Sequence, residues 1–411
     1  MSKMEYPKFT NDMKKDYTIL IPTMLPIHFK LIAAVLGNYG YNVELLEIET
    51  RQVKDEGLKN VHNDTCYPAL LVIGQFITAL KSGKYDVNKT ACLITQTGGG
   101  CRASNYFYLL RKALAREFPQ VPVLSLNISG LEKSNSIHTT LGMGIELVAA
   151  ALYGDMIMCL YNQTRPYQKN GEADQARDDC FKFAISRVKN PIKFMSKKKV
   201  YRYIIDRFSK VARPSDVKRK PKVGIVGEIY VKYSSLANNH LEDFLVSEGC
   251  EPVTPGLLDY ILYSLSNVET DHNLYRRNKF TLIPGKMAFN YINRRIKEQI
   301  KLIKKYSEFD PPEDFDDNLK NCKLIINQGV KMGEGWLIPA EMITLGKTGV
   351  KNIVCAQPFG CLPNHIVGKG MIRPVKKICP DVNIAPIDYD PDATRVNIEN
   401  RIKLMLSNIE R

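Results

Sequence analysis

Residues Ile94-Thr-Gln-Thr-Gly-Gly-Gly-Cys-Arg-Ala-Ser-Asn105 run from an apolar strand through three glycines to a cysteine at the start of a helix. Three successive glycines give up side-chain packing and cost backbone entropy, so they fit best where the chain turns with positive φ or passes close to something bulky. Cys101 is thereby presented at a helix N-terminus, where unpaired N–H groups and the helix dipole stabilise a thiolate. This is the grammar of a parallel α/β unit, in which ligands gather beyond the carboxyl ends of the strands.

The flanking sequence keeps that grammar. Toward the N-terminus, Tyr17–Pro22 reads as a buried strand, Ile27–Asn38 as a helix closed by Gly40, and Asn42–Ile48 as a second strand. Ala91–Gln96 and Val121–Asn127 are two more strands around a helix near Ala103–Phe118, and a long apolar helix follows over Ile137–Leu160. From about Arg165 to Lys220 the strand signal gives way to basic helical sequence, ending in a linker at Arg213–Pro221. Lys222–Ile229 then opens a second α/β unit, with further strands expected at Lys323–Asn327, Asn352–Gln357 and Asn383–Asp388. Helices are expected near Trp336–Lys347, His365–Ile378 and Thr394–Ser407. The expected organisation is an N-terminal α/β lobe over 1–164, a basic helical segment over 165–221, and a C-terminal α/β lobe over 222–411 with a helical insertion at about 257–306.

A chain of 411 residues is long for one hydrophobic core. No apolar run reaches the roughly 18 to 20 residues that span a bilayer, and the polar start Met1–Lys8 is not a signal peptide, so a cytoplasmic protein with no membrane partner is expected. The net charge of +15 is uneven: Lys182–Lys222 holds 15 Lys and Arg against two Asp. Such a segment suits a polyanion, coenzyme phosphates or an acidic protein, or forms a solvated helical face. It carries no RNA-binding signature, and nucleic acid is not expected as a partner.

Ten cysteines without a secretory signal point to thiols, metal ligands or redox chemistry. No CxxC pair occurs, which excludes zinc ribbons, thioredoxin-type motifs and the bacterial ferredoxin run. Cys92, Cys159 and Cys355 sit inside apolar elements and read as core thiols, whereas Cys180, Cys250, Cys322 and Cys379 lie at element ends. Three others share a different setting of loop, glycine or proline, and helix start: Cys66 in Asn63-Asp-Thr-Cys-Tyr-Pro68, Cys101, and Cys361 in Gln357-Pro-Phe-Gly-Cys-Leu-Pro-Asn364. That shared setting suggests one iron–sulfur cluster held by Cys66, Cys101 and Cys361; the long spacing leaves three unrelated thiols as the rival reading.

The runs Val61–Leu70, Leu93–Asn105, Val223–Tyr233, Lys331–Trp336 and Gln357–Ile366 resemble those of the acyl-CoA dehydratase activase-related proteins. These are relatives of the 2-hydroxyacyl-CoA dehydratases, benzoyl-CoA reductases and double-cubane cluster proteins. The resemblance runs from about Tyr17 to the C-terminus. It implies an α/β fold of two Rossmann-like or flavodoxin-like parallel-sheet lobes with helical insertions, and a [4Fe-4S] cluster with three cysteine ligands, falling on Cys66, Cys101 and Cys361. It implies low-potential one-electron transfer in acyl-CoA chemistry, with acyl-CoA as a candidate substrate. The partner would be an ATP-dependent activator or another low-potential electron donor, and the assembly a homodimer or heterodimer. Two departures stand out: the chain has no Walker A run, and it is single where the dehydratases use two different subunits. Whether it acts as a dehydratase-like lyase or a reductase component is left open.

Around the cysteines, Gly98, Gly99, Gly100, Arg102 and Glu334 are candidate cofactor-binding residues. Arg102 would counter cluster charge, and Glu334 lies in Gly333-Glu-Gly-Trp336 beside the only tryptophan, a segment that reads equally as a structural helix start. His62 is a candidate fourth ligand, and Gly368, Lys369 and Arg373 a weak phosphate signal. Two other functions compete: a double cubane reducing small molecules, which needs about six cysteine ligands, and a metal-free basic α/β binding protein.

Overall fold

The computed structural model describes residues 6–62, 64–96, 100–127, 137, 139–189, 197–276 and 279–407. The chain forms two compact units that do not follow its linear order. The first comprises Met1–Leu147 together with the short returns Pro358–Cys361 and Tyr389–Pro391; the second comprises Val148–Gln357, Leu362–Asp388 and Asp392–Arg411.

The first unit contains strands β1 (Thr18–Pro22), β2 (Asn42–Leu46), β3 (Thr90–Gln96) and β4 (Val123–Asn127), ordered β2-β1-β3-β4 and all parallel. Ile19 and Leu20 of β1 and Ala91 and Cys92 of β3 are fully buried, as the continuous apolar runs require of a sheet covered on both faces. Pro26–Asn38 ends as expected, with Gly40 at φ 83°. Helix Tyr67–Lys81 is buried along its length from Tyr67 to Leu80. It packs backbone to backbone on helix Arg51–Asn60: a Cβ on Gly74 would lie 2.0 Å from the Val53 carbonyl oxygen, and one on Gly57 2.3 Å from that of Leu70. Only glycine admits this approach, which fixes where the helix begins.

In the second unit, β5 (Lys222–Gly227), β6 (Glu251–Val253), β7 (Asn352–Pro358) and β8 (Asn383–Tyr389) repeat the pattern as β6-β5-β7-β8, again a parallel sheet. Val226, Ile353 and Cys355 pack there with Ile338, Met342 and Val375, all essentially without exposure. At roughly 1.5–3 kcal/mol for each large apolar side chain buried, this cluster is a main source of the unit's stability. Strand order 2-1-3-4 in both sheets is the flavodoxin-like order. The fold is therefore α/β with two parallel-sheet lobes, as the sequence leads one to expect.

Two expectations fail locally. Lys323–Asn327 is not a strand: the chain leaves helix Phe315–Cys322 through turns in which the Ile325 and Ile326 N–H groups both donate to the Cys322 carbonyl. The three-residue strand β6, which contains Pro252, replaces it at the sheet edge. The helix expected over His365–Ile378 is broken into Leu362–Val367, a 3-10 turn at Lys369–Met371, and Ile372–Ile378. Gly368 marks the break, and a Cβ there would lie 2.7 Å from the Asn364 carbonyl oxygen. Finally, the helix over Leu141–Tyr167 is long and apolar enough to cross a membrane by length and composition, although no run in the sequence reads that way. Glu146 and Asp155 interrupt the run in sequence, and most of the helix is buried inside the protein, with Tyr153, Ile157 and Leu160 fully covered.

The basic segment forms helices Glu172–Val188 and Lys197–Ser209 in the second unit. Much of its charge is matched there. Arg207 pairs with Asp179 at 2.9 Å, Lys198 with Glu298 at 3.4 Å, and the Arg202 guanidinium lies 3.6 Å from the centre of the Tyr306 ring.

Candidate functional site

In a 2-1-3-4 sheet the connections leave β1 toward one side and β3 toward the other, which opens a crevice at their carboxyl ends. In the first unit, the loop after β3 leads to Cys101. Gln96, fully buried at the strand end, donates from Nε2 to the Ser104 carbonyl at 3.0 Å. Ser104 returns its hydroxyl to the Cys101 carbonyl at 2.7 Å. Cys101 is thereby tied to the strand and sits at the N-cap of the 3-10 turn Arg102–Asn105, ahead of helix Tyr106–Glu117. Gly98 and Gly99 lie outside the described residues; Gly100 is exposed beside Cys101.

Cys66 is the N-cap of the buried helix Tyr67–Lys81, with Pro68 in its first turn. Cys361 closes the turn Pro358–Cys361, its N–H donating to the Pro358 carbonyl at 3.2 Å, and directly precedes Leu362–Val367. All three cysteines thus occupy the residue before a helical turn. Cys66 and Cys361 are buried and Cys101 is partly exposed, and all ten cysteines are outside disulfides.

The three turns meet within the first unit. The Tyr67 N–H donates to the Phe359 carbonyl at 3.2 Å, and the Phe359 N–H to the Tyr389 carbonyl at 2.8 Å. The Arg102 guanidinium donates to the Asp64 carbonyl, joining the Cys101 turn to the Cys66 turn. A Cβ at Gly360 would stand 3.5 Å from the Cys66 Cα and 3.7 Å from Arg102 Nη1. Gly360 has φ 76°, so a left-handed residue brings Cys361 round to this point. Residues 295 positions apart, Cys66 and Cys361, therefore lie on turns in direct contact.

The Cys66 sulfur stands 2.7 Å from the Tyr106 hydroxyl, one turn beyond Cys101. Among the described residues no three Cys, His, Asp or Glu side chains converge at metal-coordinating distance. Cysteine sulfurs at helix starts, on turns in contact, nevertheless fit an iron–sulfur cluster in donor chemistry and backbone proximity. His62 lies in the Cys66 turn, but its side chain is 78% exposed and its Nδ1 accepts the Asp64 N–H at 3.2 Å. Cys355, Cys180 and Cys322 are core thiols that burial pushes up to about 12.

The corresponding crevice of the second unit holds carboxylic acids. Gly227 ends β5 at φ 131°, where a Cβ would lie 2.0 Å from the Ala356 carbonyl oxygen, and Glu228 follows. One Glu228 oxygen accepts the Val231 N–H at 2.8 Å, capping Ile229–Tyr233. Glu334, 5% exposed, accepts the Ile229 N–H at 3.1 Å and the Asn364 amide at 2.9 Å. Burial, then the nearby Glu334, raises the Glu228 pKa; burial likewise raises that of Glu334. Glu334 therefore joins two loops of this unit, and Trp336 beside it is fully buried with its indole N–H on Asn267 at 3.1 Å. Lys369 is half exposed and lies 3.4 Å from Asp388.

Tyr106, Glu228 and Asn364 escape a reading of the sequence. Tyr106 follows Cys101 by five residues and so reads as ordinary helix core. Glu228 becomes notable only once β5 and β7 are known to be neighbours at the crevice. No protein-family description, curated protein or solved structure matches this chain.

Proposed function

We propose that the protein is an iron–sulfur protein of reductive acyl-CoA chemistry, carrying a [4Fe-4S] cluster on Cys66, Cys101 and Cys361. The observation that carries this reading is the contact among the three cysteine-bearing turns of the first unit, through Tyr67–Phe359, Arg102–Asp64 and the Gly360 approach to Cys66. Unrelated thiols have no reason to share one junction. When bound, such a cluster supplies one electron at low potential.

The chain's own residues have distinct parts in this reading. Burial of Cys66 and Cys361 keeps water from their sulfurs. Cys66 and Cys101 occupy N-cap positions, where the partial positive charge of a helix start favours an anionic group. Arg102, anchored on Asp64, holds a positive charge beside an anionic centre. The Tyr106 hydroxyl, 2.7 Å from the Cys66 sulfur, would donate to it once that sulfur is a cluster ligand and carries no proton. The absence of a Walker A run means that any ATP-driven step belongs to a partner.

The test compares iron retention in Cys361→Ser and Cys92→Ser after anaerobic purification. The proposal expects iron to fall sharply in the first and to stay at the wild-type level in the second. Equal iron in both would remove Cys361 from the ligand set.

A further inference from the structure

Exposed apolar side chains gather at one edge of the second unit. Helix Leu257–Tyr275 ends at Arg276, a left-handed residue at φ 50°, and the chain returns as helix Lys279–Tyr306. The two helices pack as a hairpin: a Cβ on Gly285 of the returning helix would lie 3.3 Å from Val268 Cγ1. Helical spacing puts Phe280, Ile283 and Met287 on the face opposite Gly285, and these three are between 64% and 85% exposed. Leu274 and Tyr275, just before the turn, are exposed as well. A Cβ on Gly329 would lie 2.9 Å from Leu274 Cδ1, so a neighbouring loop carrying Val330 and Met332 adds its own exposed apolar surface. A soluble monomer seldom leaves such a patch bare.

The charge along this edge is of one sign. From His272 to Lys297 the sequence has seven Lys and Arg and no Asp or Glu. Lys286 reaches back to Glu269 at 2.8 Å, and Arg295 and Lys297 pair with Glu298 and Asp316. Arg276 and Arg294 stand exposed. Beyond Met287 the outer stripe of the returning helix continues through Asn290 to Arg294, also exposed, so it is apolar for two turns and then polar and cationic. From Phe280 to Met287 the helix rises about 10 Å, comparable to the roughly 5–10 Å at which interfacial apolar groups lie below the headgroups.

Three occupants could cover such an edge, and the charge separates them. A two-fold contact with a second copy would bring two surfaces of the same sign together. A protein partner would need a pocket matched to a protruding helix edge, whereas a bilayer accepts one without a preformed cavity. Anionic headgroups also answer the cations that flank the apolar residues. We propose that this hairpin edge docks on an anionic lipid surface, with Phe280, Ile283 and Met287 entering the interface and Arg276 and Arg294 meeting lipid phosphates. The attachment is peripheral, although the sequence alone gives no reason to expect a membrane partner.

Co-sedimentation of the full chain with vesicles of phosphatidylserine and phosphatidylcholine in equal parts, and with vesicles of phosphatidylcholine alone, tests this. The expected result is retention by the anionic vesicles at least about tenfold stronger than by the neutral ones. The double variant Ile283→Ser/Met287→Ser changes exposed positions outside the core and should weaken that retention by a similar factor, as should Arg294→Glu. No retention by anionic vesicles would overturn the assignment. Retention that the double variant leaves unchanged would also overturn it, because charge alone would then account for binding. So would a dimer in sedimentation velocity that the double variant dissolves, since that gives the face to a second copy.

Discussion

The Tyr106 hydroxyl lies 2.7 Å from the Cys66 sulfur, linking the helix after one proposed ligand to the turn that carries another. Hydrogen bonds to ligand sulfur stabilise the more negative, reduced state and so raise the potential. Tyr106→Phe keeps the ring and removes the donor. The midpoint potential, followed by EPR-monitored redox titration, should fall by tens of millivolts, given that a hydrogen bond to a charged group is worth about 1.5–3 kcal/mol. An unchanged or higher potential would mean that Tyr106 does not donate to ligand sulfur.

Gly227 joins β5 to the acidic crevice with φ 131°, and a Cβ would meet the Ala356 carbonyl oxygen at 2.0 Å. Gly227→Ala must therefore force β5 and β7 apart or strain the backbone, at a cost above about 3 kcal/mol. Urea unfolding should show this loss or a chain that does not fold. A midpoint within error of wild type would contradict the register found for these strands.

Glu228 and Glu334 have pKa values raised in the folded state, through burial and, for Glu228, the neighbouring carboxylate. The folded chain therefore keeps protons that the unfolded chain releases, and this pair's contribution to stability declines as pH rises above the usual carboxylate range. Glu228→Gln, which retains an oxygen to cap Val231, should be more stable relative to wild type at about pH 8 than at about pH 5. Chemical unfolding at both pH values would show it; a pH-independent difference would not fit.

Lys232 and Glu341 form a buried pair at 3.3 Å, with side chains 4% and 2% exposed. Lys232→Met strands the carboxylate, and a cost of about 3 kcal/mol is expected near neutral pH. The loss should shrink under acid conditions, where Glu341, already raised by burial, holds its proton. Guanidinium midpoints across pH measure this directly.

Much of the architecture was legible because parallel strands buried on both faces leave continuous apolar runs, as at Thr18–Pro22 and Asn352–Pro358. Leu324-Ile-Ile326 shows the limit of that signal: Ile325 and Ile326 pack on the core from a turn, and Leu324 remains 58% exposed. An apolar triplet specifies burial without specifying extension. β6 escaped notice because three residues including a proline make no periodic pattern. The cysteine turns were legible from their glycine and proline neighbours, but their contact was not, since it depends on the Pro358–Cys361 return joining the first unit. Glu228 was hidden for a similar reason: its setting exists only once β5 lies beside β7.

Iron and acid-labile sulfide per chain after strictly anaerobic purification, with an EPR spectrum of the dithionite-reduced protein, test the central claim most directly. The account predicts about four of each per chain and a reduced-cluster signal. No iron or sulfide, before or after reconstitution, would contradict it.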